Sequence, residues 1–182
     1  MIEDFSERLF AHYVGGQWRA PFATDALTVA CHDGAIVGQI VPAGAVDVAR
    51  AVALRKPADP QAVVRFVKTL ADAQDDLAQL VALQSGEQPS RFTRAPSVEP
   101  CAQGAVVFGA TDDLGAILDA LAASVSGGVI WCPPPSHALL ATGLTMIAQR
   151  ADLPSGSFSL LHAQTPQTEI LLRQTGLPVR QI

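Results

Sequence analysis

The sequence predicts an α/β domain: a small open parallel sheet flanked by helices, preceded by N-terminal β-hairpins and a helical segment. Three observations predict it. Glycine-centred turns sit between strand-like flanks in residues 1–42. Helical spacing of apolar residues takes over from Asp47. From Ala105 onward, short apolar runs alternate with helical stripes to the end of the chain.

Tyr13-Val14-Gly15-Gly16-Gln17-Trp18 places two glycines between strand-like flanks, and a Gly-Gly loop supplies the positive φ angles of a tight hairpin turn. Leu27 to Cys31 and Ala35 to Val41 flank a His32-Asp33-Gly34 turn in the same way. Residues 43–87 read as helical. Apolar positions 48, 51, 52 and 54 mark one helix face, and Asp59-Pro60 is a helix start, with Asp59 as cap and Pro60 in the first turn. The stripe from Val63 to Gln84 runs to a stop at Gly86, with a break expected near Ala73 to Asp76. Residues 88–103 have no period and read as a linker within a single domain of 182 residues.

Residues 104–182 read as a βαβαβ unit with an additional helix and strand. Ala105 to Phe108, Val129 to Cys132, Ser157 to His162 and Pro178 to Ile182 are the strands. Helices are expected to start at Asp112 or Asp113, at Ser136, and at Thr165 or Pro166. Strands that are apolar throughout, rather than alternating, imply a parallel sheet covered on both faces.

Composition excludes several classes. Hydrophobic residues make up 49% and charged residues 16%, which suits a packed globule rather than a disordered chain. No apolar run reaches the roughly 18–20 residues that span a bilayer, and Met1 is followed by Ile2, Glu3 and Asp4 rather than by a signal peptide. A net charge of −5 with scattered basic residues argues against nucleic-acid binding. Cys31, Cys101 and Cys132 form no CxxC pair and read as reduced thiols of a soluble, cytoplasmic protein.

Several motifs, in order, resemble the N-terminal, cofactor-binding domain of the aldehyde dehydrogenase superfamily. Tyr13 to Trp18 match its "YxGGxW" hairpin, Asp33 to Val41 its "dGxxxGxVxxa", and Asp47 to Val52 its "DVxxAV" helix. Gln84 to Pro89 echo "ExGxP", and Glu99 to Val107 echo "EPxGVV". Ala120 to Pro135 correspond to "ALaaGNxVVxKPSe", and Ala151 to Leu161 to "aGLPxGxxxvv". The resemblance implies a Rossmann-like sheet. It places degenerate cofactor-binding positions at Phe108, Cys132, Pro133, Pro135 and Gly156, where the strand ends and the Leu153 to Ser157 turn are expected to form one ligand-binding edge.

The departures from the family carry the functional expectation. Cys132 stands where the family has a Lys that holds the ribose, and Pro135 where it has a Glu. Gly109 to Asp112 stand where an Asn would stabilise an oxyanion, and Asp112 would repel one. The pyrophosphate turn, general base and nucleophile of the family would fall after Ile182, and a stretch of helix and hairpin between Pro89 and Glu99 is missing. The start at Met1 and the end after a short strand read as a complete small unit.

Single residues do not reverse this. Cys132 has no local His or carboxylate to activate it and reads as a buried structural thiol. Cys31-His32 has no second ligand pair, so no metal site is expected. His12, His137 and His162 read as lone packing or surface residues. Ser136 and His137 are expected to point apart on a helix. Ser155-Gly156-Ser157 lacks the G-x-S-x-G frame and reads as a turn. The expectation is therefore a non-catalytic domain acting through protein contacts, as a homo-oligomer or with a full-length aldehyde dehydrogenase, with no catalytic residue and no resident cofactor. The alternative is a residual NAD or NADP binder.

Overall fold

The computed structural model describes residues 9–86, 103–109, 111, 113–162 and 166–182. The linker read at 88–103 falls almost wholly outside these residues, as do Cys101 and Asp112. In chain order the strands are β1 (Leu9–Phe10), β2 (His12–Val14), β3 (Gln17–Arg19), β4 (Leu27–Ala30), β5 (Ile36–Ile40), β6 (Ala105–Phe108), β7 (Val129–Cys132), β8 (Phe158–Leu160) and β9 (Val179–Gln181). The helices are α1 (Ala45–Leu54), α2 (Pro60–Asp72), α3 (Gln74–Ser85), α4 (Leu114–Val125), α5 (Ala138–Arg150) and α6 (Pro166–Arg173). None is long and apolar enough to cross a membrane.

Both hairpins form, but in different sheets. β2 and β3 turn through Gly15 and Gly16 at φ +63° and +80°, and β4 and β5 pair antiparallel across the His32-Asp33-Gly34 turn. β4 and β5 join β1 in a three-stranded sheet of order β1-β5-β4, whereas β2 and β3 extend the main sheet, of order β3-β2-β8-β7-β6-β9. Strands β9, β6, β7 and β8 are mutually parallel, and β2 runs antiparallel on β8.

Strand pleating sorts the core into two layers. Ala105, Val107, Val129, Trp131, Phe158 and Leu160 pack with α2, α3, α4 and α5. Val106, Phe108, Ile130 and Cys132 pack on the opposite face with residues of α1 and α6. Burial on both faces is the reason these strands carry no polar alternation. The helix limits follow local chemistry: Asp59 Oδ1 accepts from the Ala62 N–H at 2.8 Å, Asp113 Oδ1 from Ala116 at 3.2 Å, and α2 gives way to α3 at Ala73.

One helix start differs from the sequence reading. Ser136 does not cap α5; it lies in a single 3₁₀ turn, Pro135–His137, and α5 begins at Ala138. The capping role passes to Gln84 from α3. Its Oε1 accepts from the Leu139 N–H and its Nε2 donates to the Pro135 carbonyl, both at 2.9 Å. Position 84 therefore needs a donor and an acceptor at once, which an amide supplies and a carboxylate does not. Gln84→Glu is expected to lose about 2–3 kcal/mol at pH 7, because the Pro135 carbonyl is left facing a buried charge. Protonation restores the donor, so the new carboxyl has a raised folded pKa. The deficit against wild type should shrink as pH falls through that value, a trend readable from paired thermal melts between pH 7 and 4.5.

Candidate functional site

The chain lays down β6, β7 and β8 in one direction and then crosses back to place β9 on the far side of β6. The topological switch point, where open parallel sheets bind ligands outside their C-terminal ends, thus lies between β6 and β9. Register aligns Phe108 with both Cys132 and Gln181 at that edge. The Ile182 N–H donates to the Phe108 carbonyl at 3.0 Å, and the Ile182 backbone lies directly against Gly109. The Arg173 guanidinium of α6 sits 5.4 Å from the centroid of the Phe108 ring and holds Glu169 Oε1 through Nε at 3.0 Å and a terminal nitrogen at 2.7 Å.

Four of the five candidate positions gather at this end of the sheet. Phe108 and Cys132 are 9% and 2% exposed and belong to the apolar layer under α1 and α6. Burial raises the Cys132 thiol and keeps it protonated, so it is no nucleophile at neutral pH. Pro133 is buried, Pro135 opens the 3₁₀ turn, and the Pro135 carbonyl is taken by Gln84.

Gly156 is elsewhere. It precedes β8 and so lies at the N-terminal edge, the opposite end from Phe108, Cys132, Pro133 and Pro135. There its carbonyl accepts from the Lys56 N–H at 3.0 Å, and its Cα faces the Leu54 carbonyl. The expected single edge containing the Leu153 to Ser157 turn is therefore corrected: a turn leading into a parallel strand cannot share an edge with residues that leave one. The turn itself is as read, with Ser157 donating to the Pro154 carbonyl through N–H at 3.0 Å and Oγ at 2.8 Å.

This architecture occurs among solved structures. Aldehyde dehydrogenase C from Pseudomonas syringae, a variant complexed with NAD+ and octanal, superposes with a TM-score of 0.69 at 18% identity, over 98% of this chain and 50% of that one. The NAD-dependent benzaldehyde dehydrogenase from Corynebacterium glutamicum gives 0.72 at 16% identity, over 94% and 49%. This chain has the aldehyde dehydrogenase fold. The Mycobacterium tuberculosis aldehyde dehydrogenase complexed with NAD+ agrees, at 0.69 and 19% identity over 97% of this chain and 52% of that one. The chain spans about half the length of these structures. No protein-family model and no curated sequence matches it.

Set on the aldehyde dehydrogenase fold, the described residues at the end of β7 do not fit a dinucleotide. Cys132 turns its thiol into the apolar layer, and Pro133 and Pro134 have no N–H to donate. Arg173, the cation over Phe108, is already paired with Glu169. No group of three His, Cys, Asp or Glu among the described residues is arranged to hold a metal ion.

Two readings of histidine are corrected. Ser136 Oγ and His137 Nδ1 are 3.2 Å apart rather than splayed, because the 3₁₀ turn replaces the expected helix there. One hydroxyl–imidazole contact lacks the oxyanion donors of a nucleophilic site. His12 and His162 are not isolated: they lie ring to ring, 5.9 Å between centroids, beside Asp47, and all three are buried. Nothing in the local sequence signals that cluster, since His12 and His162 are 150 positions apart.

Proposed function

We propose that this domain acts through protein association, as a homodimer or docked on a full-length aldehyde dehydrogenase, and does not itself carry out dehydrogenation. The observation that carries the reading is the end of β7, where buried Cys132 and the half-buried Pro135 stand at the two positions where the resemblance expects a Lys and a Glu. Surface features agree with it. Among the described residues β9 pairs only with β6, and no described strand covers its outer edge. On the α1/α6 face a groove of about 380 Å³ is lined by Ala45, Val48, Ala49, Val52, Ala53 and Leu171, with Val46 and Ile170 exposed on the same two helices.

Sedimentation of the pure chain, alone and mixed with a full-length aldehyde dehydrogenase, tests the proposal beside calorimetry with NAD and NADP. A dimer or a mixed complex, with no heat from either nucleotide at millimolar concentration, is the expected result. A monomer that forms no complex at high concentration overturns it. Saturable nucleotide heat would instead favour the residual binder, for which Arg173 over Phe108 at the switch point is the supporting feature. Aldehyde-dependent NADH production by the chain would overturn both.

A further inference from the structure

His12, Asp47 and His162 meet beside the first turn of α1, none more than 1% exposed. The His162 backbone N–H donates to His12 Nδ1 at 3.2 Å. A ring nitrogen that accepts carries no proton, so the proton of the neutral His12 ring sits on Nε2. Nε2 lies 3.8 Å from Asp47 Oδ2, beyond hydrogen-bonding distance. Oδ2 instead accepts from the Gly44 and Phe22 N–H groups at 3.2 and 3.4 Å. His12 Nε2 and Asp47 Oδ1 have no hydrogen-bond partner among the described residues. The hairpin that carries His12 joins β8 by a single register pair, Tyr13 with Leu160, and the His162 to His12 bond adds to that attachment.

We propose that His12 is an acid-sensitive latch: a proton added at Nδ1 turns an acceptor into a donor facing the His162 N–H, breaks that bond and releases the β2–β3 hairpin from β8. The groups around the ring act in opposite directions. Asp47 on α1 attracts a protonated imidazole through Nε2 and draws it away from the His162 amide. Arg50 on α1 and the His162 ring oppose a second positive charge. The Phe10 ring of β1, 6.3 Å from that of His162, closes the other side without offering a polar atom. The Ala11 carbonyl alone favours a charged His162.

Burial holds His12 at about 4 and His162 at about 3, against an ordinary 6.5. Both rings are therefore neutral in the fold and take up protons when released. Attachment is complete above about pH 6.5 and is lost as pH falls from there toward the folded values, by up to about tenfold in the docking equilibrium per pH unit for each ring. Hairpin release would also make β8 an edge of the main sheet in place of β3. The inference does not depend on the association proposed above.

Hydrogen exchange read by mass spectrometry on the full chain, corrected for the intrinsic pH dependence of exchange, tests it. Peptides covering 9–19 and 158–162 should lose at least tenfold protection between pH 7 and pH 5, while peptides covering 105–108 and 129–132 hold theirs. His12→Asn places an amide oxygen near the position of Nδ1, where it accepts from His162 but does not titrate, and should lose clearly less protection at pH 5 than the wild type, keeping only the part of the loss that His162 carries. Equal protection of the wild-type hairpin at both pH values overturns the latch, as does equal loss in His12→Asn. Should that variant fail to fold, the wild-type pattern decides alone: loss confined to the hairpin supports the latch, and loss across all strands at once overturns it.

Discussion

Trp131→Ala is expected to destabilise the domain by about 3–5 kcal/mol, the range for truncating a fully buried large aromatic. Trp131 is 1% exposed, at the third position of β7, and points into the layer built with α2, α3, α4 and α5. Parallel strands on either side, β6 and β8, prevent β7 from moving to close the void. Without such relaxation the cost includes the cavity as well as the lost transfer term. At roughly 2–4 °C per kcal/mol for a chain of this length, the midpoint should fall by about 10 °C. Calorimetry reads it directly, and a drop of only a degree or two would mean that the layer is looser than its burial implies.

Gly156→Ala is expected to be comparably damaging, and the reason separates a structural role from a cofactor role. Gly156 has φ +91°, and a Cβ there would come within 2.1 Å of the Leu54 carbonyl oxygen. The left-handed backbone alone costs a non-glycine residue about 1 kcal/mol. The clash is with main chain, which cannot rotate aside, so the end of α1 must shift and the Lys56 to Gly156 bond is lost. A total of about 3 kcal/mol or more is expected. Gly34 is the internal control: its φ is +85°, yet nothing lies within 4 Å of a Cβ built on it. Gly34→Ala should cost only the backbone term. Urea unfolding of the two variants side by side checks the argument, and equal losses would show that the close approach of α1 contributes nothing.

The elements most legible in the sequence were those whose cause is local. The Gly15-Gly16 turn, the Asp59 and Asp113 caps and the helix break at Ala73 depend on residues within a few positions of one another. The parallel sheet was legible because burial on both faces leaves a run of apolar residues without alternation. The start of α5 was not legible, because the group that takes its Leu139 N–H is Gln84, on another helix. For the candidate site, the sequence showed that Cys132 and Pro135 cannot supply the ammonium and carboxylate expected there by resemblance, since residue type alone settles what a side chain can donate. The parallel sheet read from the sequence already implied that Gly156, which leads into its strand, lies at the other end of the sheet from residues that leave one, and the expected shared edge overlooked this.

The sequence by itself determined the α/β class, the hairpins, most helix limits and the residue types at the end of β7, which follow from short-range sterics, capping and side-chain type. Only the tertiary structure decided which hairpin joins the main sheet and which polar side chains meet. The cluster of His12, Asp47 and His162 is the clearest case. Each residue is unremarkable in its own segment, and their shared burial exists only because β2 pairs with β8 beneath the first turn of α1. Contacts between residues far apart in sequence arise from packing, and packing leaves no mark on the local pattern.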